Sequence, residues 1–246
     1  MELFLQDVSG EGVYSFTTGG YILFVGAMVT ALLVVSYFVN KDGKGRMSIK
    51  QLTTSALCIA LAFVLSNIKL FRAPMGGSVT VFSMFFVTFI GYMYGPRVSL
   101  AAAFAYGLLQ MIIDPYIVSV PQLICDYVLA FTALGIAGFF HNTKYGMFKG
   151  YVAGVLGRYF FAVLSGVVFF ADYAPEGMSP VIYSLLYNGS YLCLEAILTV
   201  AVLMIPAIRT VLNRIKHEAN DVGVRSEITD CSALRAPAIL PDIRIP

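Results

Sequence analysis

The chain has 246 residues, of which 59% are hydrophobic and only 12% are charged, and its mean hydropathy is +0.81. Soluble domains carry about 25% charged residues, so this composition excludes an ordinary soluble domain and indicates a polytopic membrane protein. The formal net charge of +2 comes from basic residues spread over short loops, which does not indicate nucleic-acid binding.

The first 48 residues combine a polar segment with one apolar run. The polar segment contains Glu2, Asp7 and Glu11 and lacks the basic stretch that begins a secretory signal. Residues 21–39 are apolar over a helical length and predict a transmembrane helix. We expect residues 1–48 to form an extracellular N-terminus followed by one extra transmembrane helix.

Six further apolar runs between residues 49 and 216 predict a six-helix bundle. Their approximate bounds are 52–70, 81–94, 99–113, 119–140, 151–170 and 181–208. Residues 69–80 contain Gly and Pro before an extended-favouring stretch, which predicts an ordered loop. Residues 217–246 are polar and lack a helical apolar period, so we expect a disordered cytoplasmic tail. The predicted fold class is an all-α membrane protein with a six-helix core and one extra N-terminal helix.

Lys and Arg placement predicts the orientation of the chain, because cytoplasmic loops are enriched in both residues. Most basic loops fall on one side of the predicted spans, whereas the opposite side holds the acidic N-terminus and the loops near residues 69–80, 114–121 and 172–180. We therefore expect the N-terminus outside, the C-terminus in the cytoplasm and those three loops on the outer face.

No catalytic, metal-binding or cofactor-binding pattern is visible. His141 and His217 both lie in predicted cytoplasmic loops, and the sequence contains no HExxH motif, paired intramembrane aspartates or Walker A motif. The four cysteines lack ligand spacing. We expect neither enzymatic activity nor ATP hydrolysis by the chain itself.

Asp126 is the most informative polar residue, because it lies about 10 Å along the predicted helix over residues 119–140. A carboxylate at that depth is costly and marks a functional site by default. The alternative is a structural pair with a tyrosine or with Arg158, which we expect nearer the cytoplasmic side. Asn188 also needs a buried partner, while Glu195 favours a structural role.

Small residues on the second predicted helix form another pattern. Ala56 and Ala60 are four residues apart and are followed by Ala62. This small-xxx-small spacing permits close helix contact. From the spacing alone, ordinary packing within the chain is favoured over docking of a partner.

Several blocks resemble the thiamine-specific substrate-binding (S) component of energy-coupling factor (ECF) transporters, the ThiT/YuaJ family. They are GGSVTV, PYIVSVPQLICDYVLAFTALGIAGFF, RYFFAVLSGVVFFADYAPEGM and YSLLYNGSY, within residues 49–214. The resemblance implies a six-helix S component that binds thiamine in an outward-facing pocket. It also implies that a transmembrane coupling subunit and two cytoplasmic ATPases drive uptake in the cell membrane.

The resemblance also implies roles for individual residues. Ala56 and Ala60 would dock on the coupling subunit, and residues 75–79 would form a lid over the pocket. Asp126, Tyr183 and Asn188 would hydrogen-bond the aminopyrimidine, and Phe170 would stack on it. The implied substrate-binding residues are Gly77, Tyr116, Asp126, Tyr127, Gly166, Phe170, Tyr183 and Asn188.

This chain departs from the family at specific positions. Ala162 stands where the family commonly has a pocket histidine, and the chain has no Trp, which the family uses in the lid and on the helix that carries Phe170. Two alternatives therefore stay open. The chain could be an S component for another vitamin or a thiamine precursor, or a non-transporting membrane protein with a degenerate pocket.

Overall fold

The computed structural model describes residues 5–7, 13–40, 47–73, 76–112 and 115–233. Helices dominate these ranges, in agreement with the predicted all-α class. In chain order they are α1 (Thr18–Asn40), α2 (Ile49–Ser66), α3 (Ser83–Tyr94), α4 (Pro96–Gln110), α5 (Val120–Phe140), α6 (Gly146–Phe169), α7 (Pro180–Leu203) and α8 (Pro206–Ala233).

Two short antiparallel hairpins complete the described structure. Strand β1 (Leu5–Asp7) pairs with β2 (Tyr14–Phe16), and β3 (Lys69–Arg72) pairs with β4 (Ser78–Thr80). The second hairpin lies where the sequence predicted an ordered loop. It connects α2 to α3, so the polar segment between these two helices has a defined path.

Five of the described helices are long and apolar enough to cross a membrane, namely α1, α2, α5, α6 and α7. Helix α3 is shorter, and most of its side chains are buried. Close approach of α3 to α5 is possible because Gly91 faces Gly138, where a Cβ on Gly91 would come within 2.7 Å of the Gly138 nitrogen. The chain is a multi-pass membrane protein with α3 in the interior of its bundle.

The direction of the helices places several connecting segments at one end of the bundle. Helices α2, α4 and α6 end there, and α3, α5 and α7 begin there. The β3–β4 hairpin, residues 115–119 and residues 170–179 connect them. We call this the pocket end, because these segments surround the cavity described below.

The C-terminal region differs from the predicted disordered tail. Helix α7 ends at Leu203, and α8 begins at Pro206 and continues to Ala233. Proline disfavours helical geometry at the residue before it, so the predicted single helix over 181–208 divides here. Residues 234–246 of the predicted tail lie outside the described residues.

Polar contacts attach the middle of α8 to the bundle. Lys50 Nζ donates to the Glu218 carbonyl at 2.6 Å, and Asn220 Nδ2 donates to the Met93 carbonyl at 3.2 Å. Lys216 lies 4.4 Å from the centre of the Tyr92 ring, and burial lowers the pKa of its ammonium group. Apolar periodicity does not reveal a helix attached in this way, which is why the sequence suggested disorder.

Candidate ligand-binding site

A cavity of about 150 Å³ opens between the helices at the pocket end. We call it the main cavity. Its walls come from the β3–β4 hairpin, from residues of α2, α4, α5, α6 and α7, and from the connecting segments. All eight residues that the resemblance assigns to the substrate site line it: Gly77, Tyr116, Asp126, Tyr127, Gly166, Phe170, Tyr183 and Asn188.

Asp126 lies on an irregular turn of α5. Residues Ile124–Leu129 form a π-helical turn, a local widening that occurs often at functional sites. Asp126 Oδ2 accepts a hydrogen bond from Gln122 Nε2 at 2.7 Å. A carboxylate has about four acceptor positions, so Asp126 retains acceptor capacity beside the cavity.

Gln122 links Asp126 to the outer loop over residues 115–119. Its side chain is 1% exposed, and its Nε2 also donates to the Tyr116 carbonyl at 3.1 Å. The Val118 amide donates to Gln122 Oε1 at 3.2 Å. One buried amide therefore fixes both the acid and the loop above it.

Aromatic rings form the outer wall of the main cavity. The centres of the Tyr116 and Phe170 rings are 6.0 Å apart, and Phe170 lies 5.9 Å from Tyr173. The Tyr116 amide donates to Tyr127 Oη at 2.9 Å. The loop residue and α5 are thus joined directly beside the cavity.

A row of tyrosines on α7 forms the opposite wall. Tyr183, Tyr187 and Tyr191 follow one another at helical spacing, with ring centres 5.9 Å and 5.7 Å apart. Tyr191 Oη donates to Asn188 Oδ1 at 2.6 Å, and Asn188 Nδ2 donates to the Ser184 carbonyl at 3.0 Å. The buried Asn188 amide therefore has the partners that its depth requires.

Gly166 brings α6 and α7 together at the level of the cavity. A Cβ at this position would collide with Ser184 Oγ and lie 3.2 Å from Asn188 Nδ2. Ser184 Oγ donates to the Val163 carbonyl at 2.9 Å, and Asn188 Nδ2 approaches the Ala162 carbonyl at 3.3 Å. The small residues of α6 therefore let α7 present its polar groups to the main cavity.

Gly77 closes the cavity from the side of the β3–β4 hairpin. Its amide donates to Tyr187 Oη at 3.1 Å, and a Cβ would come within 2.6 Å of that oxygen. A side chain cannot fit at this position without displacing the tyrosine. Met75, the first residue of the predicted lid, lies outside the described residues.

Arg158 lies further along its helix than the sequence predicted. Helix α6 begins at Gly146, so Arg158 lies about 18 Å along it, near its middle. Its side chain lines the main cavity, and its guanidinium lies 4.1 Å from the centre of the Phe131 ring. No salt bridge within 4.0 Å joins Arg158 to Asp126 in the described structure, although both residues line the cavity.

Glu195 has the structural role that its sequence position favoured. The carboxylate is 2% exposed and accepts from Thr80 Oγ1 at 2.7 Å and Ser83 Oγ at 3.1 Å. The Thr80 and Met84 amides also donate to the Glu195 carboxylate, each at 3.4 Å. Glu195 therefore fixes the start of α3, where a negative charge is favourable for the helix dipole.

The small residues of α2 divide between two faces. Ala56 and Ala60 are exposed, whereas Ala62 is 0% exposed and belongs to the core. Ala62 therefore does not extend the Ala56/Ala60 face. Packing within the described bundle does not cover Ala56 and Ala60.

Some cavity residues were absent from the sequence prediction. Gln122 precedes Asp126 by one helical turn, and this i, i+4 spacing was the available signal. Ser184 precedes Asn188 by the same interval. Lys69, Gln110 and Ser66 reach the cavity from separate elements, a juxtaposition that local patterns do not reveal.

Comparison with known proteins identifies the family of this chain. The sequence model of the thiamine transporter protein family, Thia_YuaJ, matches residues 52–214. The chain belongs to this family. The matched range covers the six helices α2 to α7 and the first part of α8, and it leaves out β1, β2 and α1.

Two curated relatives share this assignment. The thiamine transporter ThiT of Bacillus subtilis (strain 168) is 34% identical over 164 residues, which cover 60% of this chain and 85% of the relative. The thiamine transporter ThiT of Lacticaseibacillus paracasei (strain ATCC 334) is 30% identical over 118 residues, covering 41% and 59%.

A solved structure of ThiT from Listeria monocytogenes has the same fold. The TM-score is 0.55 at 24% sequence identity, and the match covers 64% of this chain and 94% of the other. The S-component fold inferred from the sequence blocks is therefore confirmed.

Proposed function

We propose that the chain is the substrate-binding subunit of an ECF-type importer and binds thiamine in the main cavity. The observation that carries the proposal is a partly buried carboxylate, Asp126, with unused acceptor capacity in a cavity walled by aromatic rings. Thiamine combines a cationic ring with an aminopyrimidine that donates hydrogen bonds, and aromatic faces with a carboxylate suit both. The subunit itself is proposed to be non-catalytic.

The proposed contacts follow from the cavity walls. Asp126 accepts from the aminopyrimidine, with Tyr183 and Asn188 supplying further hydrogen bonds. Phe170 and Tyr116 stack on the ligand at the outer wall, and Tyr127 borders it from α5. Gly77 and Gly166 contribute space, because a side chain at either position would meet α7.

Titration of the purified protein in detergent or nanodiscs tests this proposal. Thiamine is compared with riboflavin, biotin and hydroxymethylpyrimidine by isothermal calorimetry. We expect saturable 1:1 binding of thiamine and none of riboflavin or biotin. Absence of thiamine binding at millimolar concentration would reject the proposal.

A second candidate ligand is an uncharged thiamine precursor such as hydroxymethylpyrimidine. Arg158 favours it, because the guanidinium borders the cavity and repels a cationic thiazolium but not a neutral pyrimidine. The pyrimidine retains the hydrogen bonds to Asp126. Tighter binding of the pyrimidine than of thiamine in the same titration would select this candidate.

Uptake is proposed to be driven by a separate coupling module. In this proposal the exposed Ala56/Ala60 face of α2 docks on a transmembrane coupling subunit that carries two cytoplasmic ATPases. Small residues favour such docking because they allow helix backbones to approach closely in lipid. The pocket end then faces outward, with the N-terminus outside and the C-terminus in the cytoplasm.

Co-purification tests the docking face. Ala56→Leu should abolish recovery of the ATPases with the tagged chain while leaving thiamine affinity unchanged. Ala201→Leu, at an exposed position of α7, is the matched control and should retain them. Equal recovery with both variants would reject this face as the docking site.

A further inference from the structure

The segment before the family-matched region contacts the loop that covers the main cavity. Residues 13–17 and α1 lie outside the matched range 52–214. The Tyr14 amide donates to the Ile117 carbonyl at 2.8 Å, and the two residues form an antiparallel bridge. Ile117 is the immediate neighbour of Tyr116, which forms part of the cavity wall.

Strand β2 is itself fixed to α1. The Phe16 ring stacks on Phe24 with ring centres 5.2 Å apart and lies 5.3 Å from Tyr21. Phe24 and Met28 of α1 pack against an apolar cluster that includes the fully buried Ile117. The strand that bridges to Ile117 is therefore itself held by hydrophobic contacts with α1.

The other side of the same loop is attached to the ligand site. Tyr116 donates through its amide to Tyr127, and its carbonyl accepts from Gln122, which also binds Asp126. Residues 115–119 are consequently held between β2 on one side and α5 on the other. We expect loss of either attachment to increase the movement of Tyr116 relative to Phe170.

A second cavity, of about 390 Å³, lies outside the main one and shares its rim. Val13, Tyr14 and Ser15 form one side of this outer cavity. Lys69, Gly76, Gly77, Ser78 and Tyr116 border both cavities. A ligand that passes from the pocket end into the main cavity through this space therefore moves along the N-terminal segment.

We propose that residues 13–40 act as a brace that retains the ligand: β2 holds the 115–119 loop through Tyr14 so that Tyr116 stays over the occupied cavity. The proposal rests on thiamine as the ligand of the main cavity. Tyr14 is a positioning residue in this account, because it acts through Ile117 and Tyr116. The brace is expected to slow ligand release, because Tyr116 has to move away from Phe170 before the ligand leaves the main cavity.

The dissociation rate of thiamine from the full-length protein tests the brace. Tyr14→Pro removes the amide that binds Ile117 and should raise the dissociation rate about tenfold. Thr18→Pro is the matched control, because proline is tolerated at the first position of a helix and Thr18 begins α1. An unchanged dissociation rate in folded Tyr14→Pro protein would overturn the proposal.

A second variant and a coupling measurement guard against misfolding of the proline variant. Phe16→Ala weakens the attachment of β2 to α1 and should raise the dissociation rate about threefold. In a Tyr116→Ala background, Tyr14→Pro should add little, because the ring that it positions is gone. Fully additive effects would show that the N-terminal segment does not act through Tyr116.

Hydrogen exchange separates failure of the brace from failure of thiamine binding. Without ligand, the Tyr116 and Val118 amides should exchange at least fivefold faster in Tyr14→Pro than in the unmodified protein or Thr18→Pro. Equal exchange would contradict the brace even if thiamine binds. If thiamine does not bind, faster exchange would still support the attachment while the proposed function falls.

Discussion

Asp126 and Glu195, two carboxylates on described helices of the bundle, have contrasting surroundings. Glu195 accepts hydrogen bonds from side chains and amides at the start of α3 and is 2% exposed. Asp126 accepts from Gln122 and faces the main cavity. A carboxylate whose hydrogen bonds all come from the protein stabilises the fold. A carboxylate that keeps acceptor capacity beside a cavity can bind a ligand.

The comparison predicts that Glu195→Ala mainly damages stability. The substitution removes the acceptor shared by two hydroxyls and two amides at a buried site, although the Thr80 and Ser83 hydroxyls keep their bond to each other at 2.7 Å. Unsatisfied buried groups cost about 1–3 kcal/mol each, with partial relief by water or rearrangement. We expect the free energy of unfolding in detergent to fall by about 3 kcal/mol. Thiamine affinity of the protein that remains folded should change less than threefold.

Gly166→Ala tests whether the contact between α6 and α7 supports the site. The added methyl group collides with Ser184 and approaches Asn188, and overpacking of this kind costs about 1–3 kcal/mol. Gly189→Ala is the control, because its Cβ would meet Tyr159 at an ordinary 3.6 Å. Thermal unfolding should shift for Gly166→Ala alone, together with a loss of thiamine affinity. Equal unfolding temperatures and equal thiamine affinities in the two variants would contradict a role of this helix contact in the site.

Asp126→Asn should weaken thiamine binding with little effect on stability, the reverse of the Glu195 variant. The amide keeps the size of the carboxylate but loses its charge and one acceptor oxygen. We expect a loss of more than tenfold in affinity, or about 1.4 kcal/mol, by calorimetry. An affinity within twofold of the unmodified protein would remove Asp126 from the ligand site.

Arg158→Met should have the smallest effect and the opposite sign. Removing a cation from the cavity wall relieves repulsion of cationic thiamine, while methionine preserves packing against Phe131. We expect about threefold tighter thiamine binding, with no gain for neutral hydroxymethylpyrimidine. Weaker thiamine binding in this variant would show that Arg158 instead contributes a favourable contact.

The positions of Asp126, Tyr183 and Asn188 in one cavity were predictable from sequence. Each lies near the start of a helix that begins at the pocket end, so helix length and alternating direction bring them to the same depth. The same reasoning distinguishes Glu195 from these site residues, because Glu195 lies about three turns further along α7 than Tyr183 and so further from the pocket end.

The location of Arg158 was not predictable, because α6 begins at Gly146, earlier than the apolar run suggests. The contact between Tyr14 and Ile117 joins residues about a hundred positions apart, and no local pattern encodes it. Helix α8 was missed because hydrogen bonds from Lys50 and Asn220 attach it. In all three cases tertiary contacts outweigh the local sequence signal.

A structure of the protein bound to thiamine tests the central claim most directly. The account predicts thiamine in the main cavity, with an aminopyrimidine nitrogen about 2.7–3.2 Å from an Asp126 carboxylate oxygen and Phe170 stacked on the ligand. Glu195 should keep its bonds to Thr80 and Ser83. Thiamine bound elsewhere, or bound in this cavity without contact to Asp126, would contradict the account.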